Sequence, residues 1–176
     1  MSKVLRAIGL GSVLALIVAL MAHHSQVQAY EDGEIKNAQK DILAMAKLIA
    51  DGKDVSKEAK AAKKKYEELN TVMHAYKPSP KGGIGTGLPP KAGDGREIKK
   101  RNLGKRSQSA SNLEKEKAVL EQIGYINAAI ADITKEYAPT KPRGGKGPKD
   151  WNQYCDDMRK VSLDLVKAAK AGKAAD

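Results

Sequence analysis

Trp151-Asn152-Gln153-Tyr154-Cys155-Asp156-Asp157-Met158-Arg159-Lys160-Val161-Ser162-Leu163-Asp164-Leu165-Val166-Lys167-Ala168 is the run that decides the fold. Trp151, Tyr154, Met158, Val161, Leu165 and Ala168 recur at alternating steps of three and four, which stacks them on one face of an α-helix. Asp156, Asp157, Arg159, Lys160, Asp164 and Lys167 fall between them and leave the opposite face to water. A helix of this kind needs an apolar neighbour. Gly172 is the usual helix stop, and Lys173-Ala174-Ala175-Asp176 reads as the approach to a further helix with Asp176 as its N-cap.

The rest of the chain offers neighbours of the same type. A length of 176 residues with 41% apolar content fits one domain whose core needs no staples. Aromatic residues make up only 4% and Phe is absent, so the core is built from Leu, Ile, Val, Ala and Met, small enough for close helix packing. No β-branched run with strict alternation marks a strand. The fold is therefore predicted to be all-α, an antiparallel up-and-down helical bundle with a long Gly/Pro-rich crossover loop.

Met1 to Ala29 has the form of a secretory signal. Lys3 and Arg6 give a positive start, Ala7 to Ala22 is almost uncharged, and Val27-Gln28-Ala29 supplies a small-x-small cleavage site, so the mature chain is expected to begin at Tyr30. The alternative is an uncleaved membrane anchor, but the apolar run falls short of the roughly 20 residues of a spanning helix, so cleavage is favoured and no stable membrane span is expected after it. No Cys follows it to carry a lipid. The expected location is exported and periplasmic, with residues 30–176 as the helical domain and His74 as its only histidine.

Four helices are predicted in that domain. The first covers about 34–51, with Ile35, Ala38, Ile42, Met45 and Ile49 on its apolar face and Gly52 ending it. Asp54 or Ser56 caps the second, about 55–76, whose stripe is Val55, Ala59, Ala62, Tyr66, Leu69, Met73 and Tyr76. The short turn between them makes an antiparallel hairpin. Residues 77–110 are predicted as loop, because Pro78, Pro80, Pro89 and Pro90 with their glycines break helices, with one short helical piece near Arg96 to Gly104 touching the bundle through Ile98 and Leu103. Gly83-Ile84-Gly85-Thr86-Gly87 lacks the spacing of either nucleotide fingerprint. Ser111-Asn112-Leu113-Glu114 is a capping box opening a helix over about 111–137, with Leu113, Leu120, Ile123, Ile126, Ile130 and Ile133 buried and Gly124 admitting a close neighbour. Pro148 starts the last helix, about 149–171.

Candidates for chemistry are few. The formal charge of +11 is spread over helix faces and loops with no aromatic interleaving, so no nucleic-acid partner is expected. It favours encounter with acidic proteins or anionic surfaces. One mature His and one Cys make no triad, and Glu-x-x-His is absent, so neither a hydrolytic enzyme nor a bundle metal site is expected. Met73 and His74, at the end of the second helix, are the candidate cofactor-binding residues, since a thioether or an imidazole there can coordinate haem iron from within a bundle. The plainer alternative puts Met73 in the apolar stripe and His74 in solvent at the helix C-terminus. Met45 and Met158 likewise fit their stripes. Cys155 has no partner for an intramolecular disulfide and reads as a small apolar residue, with a dimer-linking bridge as the alternative.

Met73-His74-Ala75-Tyr76-Lys77-Pro78, Lys81-Gly82-Gly83-Ile84-Gly85-Thr86-Gly87, the segment Leu120 to Ile133, and Pro148-Lys149-Asp150-Trp151 with Asp157-Met158-Arg159 together resemble exported c-type cytochromes of the planctomycete type, which look related to the class II cytochromes c, the cytochrome c-prime group of four-helix bundles. The resemblance covers nearly all of the mature chain. It implies haem-dependent electron transfer, haem c as cofactor and a redox protein as partner. In that family a further helix carries Cys-x-x-Cys-His, which does not occur in these residues, and Cys155 matches neither of its cysteines. The chain is then one of three things: part of a longer haem protein, a haem-less relative acting as a periplasmic interaction bundle that self-associates or binds through exposed helix faces, or a bundle holding haem non-covalently through Met73 or His74.

Overall fold

The computed structural model describes residues 33–85, 109–142 and 144–172, apart from the side chains of residues 110, 112 and 113. The expected signal peptide, the helical piece near Arg96 to Gly104, Leu113 and Asp176 lie outside these. The chain divides into two compact units, residues 1–34 and 35–176. Of the first, residues 33 and 34 are described, and they are helical. Apart from those two residues, everything that follows concerns the second. Helices account for its regular structure and no strand occurs among the described residues, so the all-α expectation holds.

Helix α1 covers 33–50, and Ala38, Ile42, Met45, Ala46 and Ile49 are buried along it at helical spacing. It stops at the expected glycine. Gly52 takes φ 73°, its N–H reaches the Ile49 carbonyl, and the Lys53 N–H reaches back to Leu48, so two of the last carbonyls are satisfied by the turn itself. Helix α2, Ser56–Lys65, follows at once. The Asp54 carboxylate accepts from the Ser56 N–H and hydroxyl, and the latter bond holds its pKa below the ordinary value. Asp41 on α1 meets Lys65 on α2, and Leu48 lies across from Glu58, so the two helices run antiparallel.

The predicted helix over 55–76 is not continuous. Tyr66 takes extended backbone angles after Lys65, α3 restarts at Leu69–Met73, and a 3-10 turn covers His74–Tyr76. No Pro or Gly stands in this stretch, so the break has a tertiary cause. The Tyr66 ring is fully buried, its hydroxyl donates to Asp41 at 2.6 Å, and its backbone carbonyl accepts from the Tyr137 hydroxyl at 2.6 Å, which satisfies a group that helix continuation would have used. After the break the apolar stripe shifts register: Val72 and Ala75 are fully buried, while Leu69, Met73 and Tyr76 are half-buried against the core.

The start of the predicted loop, residues 77–85, is packed structure. Pro78 leads into a 3-10 turn over Ser79–Lys81, Gly82 takes φ 75°, and the N–H groups of Gly83 and Ile84 bond back to Pro78 and Ala75. A Cβ on Gly83 would run into the Lys77 carbonyl, so only glycine allows this closure. Gln39 on α1 donates to the Gly82 carbonyl and fixes the turn to the bundle.

Helix α4, Ala110–Lys135, begins one residue before the predicted capping Ser111, which therefore lies inside the first turn. Over 126–134 every residue except Asp132 is buried, so this half of α4 is enclosed on nearly all sides. Its Ile126, Ile130 and Ile133 share one core cluster with the apolar faces of α1, α2 and α3. Helix α5, Pro148–Ala171, packs along α4. Contacts from Trp151 to Thr134, Arg159 to Asp132 and Lys170 to Tyr125 set the pair antiparallel. At the crossing, a Cβ on Gly124 would lie 2.6 Å from the Ser162 carbonyl and 2.5 Å from Val166 Cγ2, which is the close approach expected of this glycine.

The face of α5 that is buried differs from the expected one. Cys155, Ser162, Val166 and Ala169 are buried, whereas Tyr154 and Val161 are 54% and 62% exposed. Trp151, Met158 and Leu165 sit at the border between the two faces. The helix is turned by about one residue because small side chains, not the largest ones, permit the Gly124 contact. Ser162 enters that interface with its hydroxyl satisfied by the Met158 carbonyl at 2.6 Å.

Candidate functional site

Met73 and His74 stand side by side at the end of α3 and the start of the 3-10 turn. Met73 packs its side chain against the main core cluster, as the apolar-stripe alternative requires. His74 Nε2 lies 3.0 Å from Lys77 Nζ, within hydrogen-bond distance, a contact that a ligand to iron through Nε2 would have to give up. Neither residue lines either of the two clefts described next. In this structure Met73 is engaged by the core and His74 by Lys77. Among the described residues no cluster of three His, Cys, Asp or Glu side chains is arranged to hold a metal ion.

Cys155 is buried and unbridged, and burial pushes its thiol pKa up. A thiol kept protonated is a poor nucleophile and a poor metal ligand. Its setting against α4 is that of a small core residue.

One cleft lies between α1 and α2. Its volume is about 290 Å³, and Ala44, Met45, Leu48, Ala61 and Ala62 line it with Asp41, Glu58 and Lys65. The Asp41 carboxylate is already shared by Lys65 Nζ at 2.8 Å and the Tyr66 hydroxyl. These bonds push Lys65 up to about 12, and burial with the Asp41 bond pushes Tyr66 up to about 12. The Asp41 and Lys65 charges neutralise each other, and Glu58 adds a second carboxylate to the lining.

The second cleft is different in kind. The chain has one Trp, six Tyr and no Phe, and three of those rings, Trp151, Tyr154 and Tyr137, line a cleft of about 380 Å³ together with Pro139, Gly147 and Lys146. It is built where α4 ends and α5 begins. Pro148 opens α5 with its fixed φ, and the Gly147 N–H donates to the Asp150 carboxylate at 2.9 Å, which sets the first turn that carries Trp151 and Tyr154. Trp151 is then held by its Nε1–H donating to the Thr134 carbonyl at 2.8 Å. Tyr137 is held by its hydroxyl on Tyr66, with Lys63 Nζ 4.1 Å from its ring centre. Lys146 Nζ stands 5.9 Å from the Tyr154 ring centre, and the Tyr154 side chain raises its pKa. The polar tips of Trp151 and Tyr137 are thus engaged, and what the cleft presents is ring surface, the Tyr154 hydroxyl and the Lys146 ammonium.

The sequence placed Trp151 and Tyr154 on the core-facing stripe and gave no role to Tyr137 or Lys146. One signal pointed here: in a chain poor in aromatics, three of them crowd within residues 137–154 around a Pro/Gly-rich connection. Periodicity could not reveal it, because the residues belong to two helix ends and the loop between them. Compared with known proteins, the chain matches no family model, no curated protein and no solved structure.

Proposed function

We propose that the chain is the helical scaffold of an exported c-type-cytochrome-like electron-transfer protein, an antiparallel up-and-down four-helix bundle in which α2 and α3 together form one arm. The observation that carries this reading is where the resembling motif residues fall: they fasten the scaffold. Trp151 bonds the last turn of α4, Arg159 Nε stands 3.0 Å from the Asp132 carboxylate, Met158 packs on the core, and Gly83 closes the turn over Lys77. Motif segments more than 60 residues apart act on one framework, as expected of a resemblance in architecture. In the family, haem c supplies one-electron chemistry and is held by Cys-x-x-Cys-His, which residues 1–176 do not contain. The Lys77-bonded His74 and core-bound Met73 do not replace it, so no electron-transfer step is assigned to residues of this chain.

The test is a visible absorption spectrum of the protein isolated from the exported fraction of its native cell, together with the gene sequence beyond the Asp176 codon. The reading expects a haem band and an in-frame Cys-x-x-Cys-His. A stop codon directly after Asp176 and a colourless protein would sink it. N-terminal sequencing of the exported form checks the export step, with Tyr30 as the expected first residue.

A second reading, a haem-less exported bundle that binds through its helix faces, is supported by Val161 and Tyr154, two apolar side chains exposed on one face of α5. Sedimentation of the mature protein decides it. A concentration-dependent dimer that Val161→Lys dissolves supports this reading, and a monomer at all concentrations that binds no hydrophobic dye counts against it.

A further inference from the structure

We infer that the cleft between Trp151, Tyr154 and Tyr137 binds a small organic acid with a flat aromatic or heteroaromatic ring, the ring lying against the Trp151 and Tyr154 faces and the acid group meeting the Lys146 ammonium. This inference uses no haem, and it takes Tyr154, which the helix-face reading also uses, as a ring that meets the small molecule.

Four observations narrow the ligand. A cleft of about 380 Å³ lies in the size range of small-molecule sites, and it is lined mainly by rings. The Trp151 indole N–H and the Tyr137 hydroxyl are spent on backbone carbonyls, which leaves the Tyr154 hydroxyl as the one ring-borne polar tip for a sugar's hydroxyls. Two ammonium groups already stand at these rings, Lys63 over Tyr137 and Lys146 beside Tyr154, so a cationic ligand of the kind that aromatic cages hold is repelled. What remains favourable is an offset-stacked ring carrying a negative charge, drawn in by a chain of net charge +11.

The single tryptophan makes the site readable. In proton–nitrogen correlation spectra of the ¹⁵N-labelled protein, the Trp151 indole N–H gives one peak, and naphthoate is the probe. The expected result is a saturable shift of that peak by naphthoate, with naphthylmethanol and the naphthylmethyl-trimethylammonium cation binding at least about tenfold more weakly, the ratio that one charge-assisted contact supplies. Lys146→Gln is expected to weaken naphthoate by about the same factor and Tyr154→Ala by a similar one. Both side chains are exposed, so the variants keep the fold, which their unchanged backbone spectra verify. The inference is overturned when naphthoate produces no saturable shift, when the uncharged analogue binds as tightly, or when Lys146→Gln leaves naphthoate binding unchanged.

Discussion

Where α4 meets α5 the two backbones almost touch, with Gly124 set against the Ser162 carbonyl and the interface filled by Cys155, Ser162, Val166 and Ala169. Where the arm of α2 and α3 meets its neighbours the chain is held apart and pinned instead, by the Tyr66 hydroxyl on Asp41 and the Tyr137 hydroxyl on the Tyr66 carbonyl. The first contact keeps two long helices of 26 and 24 residues unbroken. The second breaks a helix that nothing in its own residues interrupts. Small residues let dispersion and apolar burial act over a whole helix length, whereas a few buried polar atoms must each find a partner and bend the backbone to reach it.

The largest expected effect tests the close contact. Gly124→Val should cost about 3 kcal/mol in urea unfolding, because overpacking at a backbone–backbone crossing cannot relax. Adding Val166→Ala should recover only part of this, since the Ser162 carbonyl remains in place. Full recovery would mean that the crossing is set by side chains. Next comes Tyr66→Phe, with a loss of about 2 kcal/mol at neutral pH from a hydrogen bond to a charged acceptor. It carries a pH signature. Burial and the Asp41 bond raise the folded Tyr66 from its ordinary 10.0 to about 12, so the fold favours the protonated phenol. That contribution is fully present below pH 10 and fades as pH rises from 10 to about 12. Thermal melts across this window should fall more steeply for the native protein than for Tyr66→Phe, and parallel curves would place the pin elsewhere.

Tyr137→Phe should cost about 1 kcal/mol and leave the Tyr66 carbonyl without its hydroxyl partner. Hydrogen exchange at residues 66–68 is the sharper measure: amides there should gain protection as α2 and α3 join, and unchanged protection would assign the break to Tyr66 burial alone. The smallest effect is expected at Val161. Val161→Ser should change stability by less than about 0.5 kcal/mol, as surface positions do. A loss near that of Val166→Ala would return α5 to the face its periodicity suggested.

Helices α1, α4 and α5 were legible to within a few residues, and so were the Gly52 and Gly172 stops and the close approach at Gly124. These are local properties, fixed by periodicity and by the conformational freedom of glycine. The orientation of α5 was not legible, because apolar residues occupy two adjacent stripes and hydrophobicity alone prefers the larger ones. Ser162 is polar by type and buried in fact, since its hydroxyl turns back to Met158. The aromatic cleft was hidden for a related reason: Tyr137 and Trp151 lie on either side of a loop, and only its closure brings their rings together. Met73 and His74 were legible as neighbours, but the engagement of His74 by Lys77 depends on the turn after α3.

By itself the sequence determined that the regular structure of the described residues would be helical, where most of those helices stop, and which glycine would sit at a crossing. Hydrophobic period and glycine geometry act within one or two turns of chain, so they can be read without knowing the neighbours. Tertiary structure decided the break at Tyr66, the face that α5 turns inward and the meeting of three rings beside Lys146. Each of these depends on a partner many residues away, where steric fit and the satisfaction of a buried polar atom outweigh what the local residues prefer.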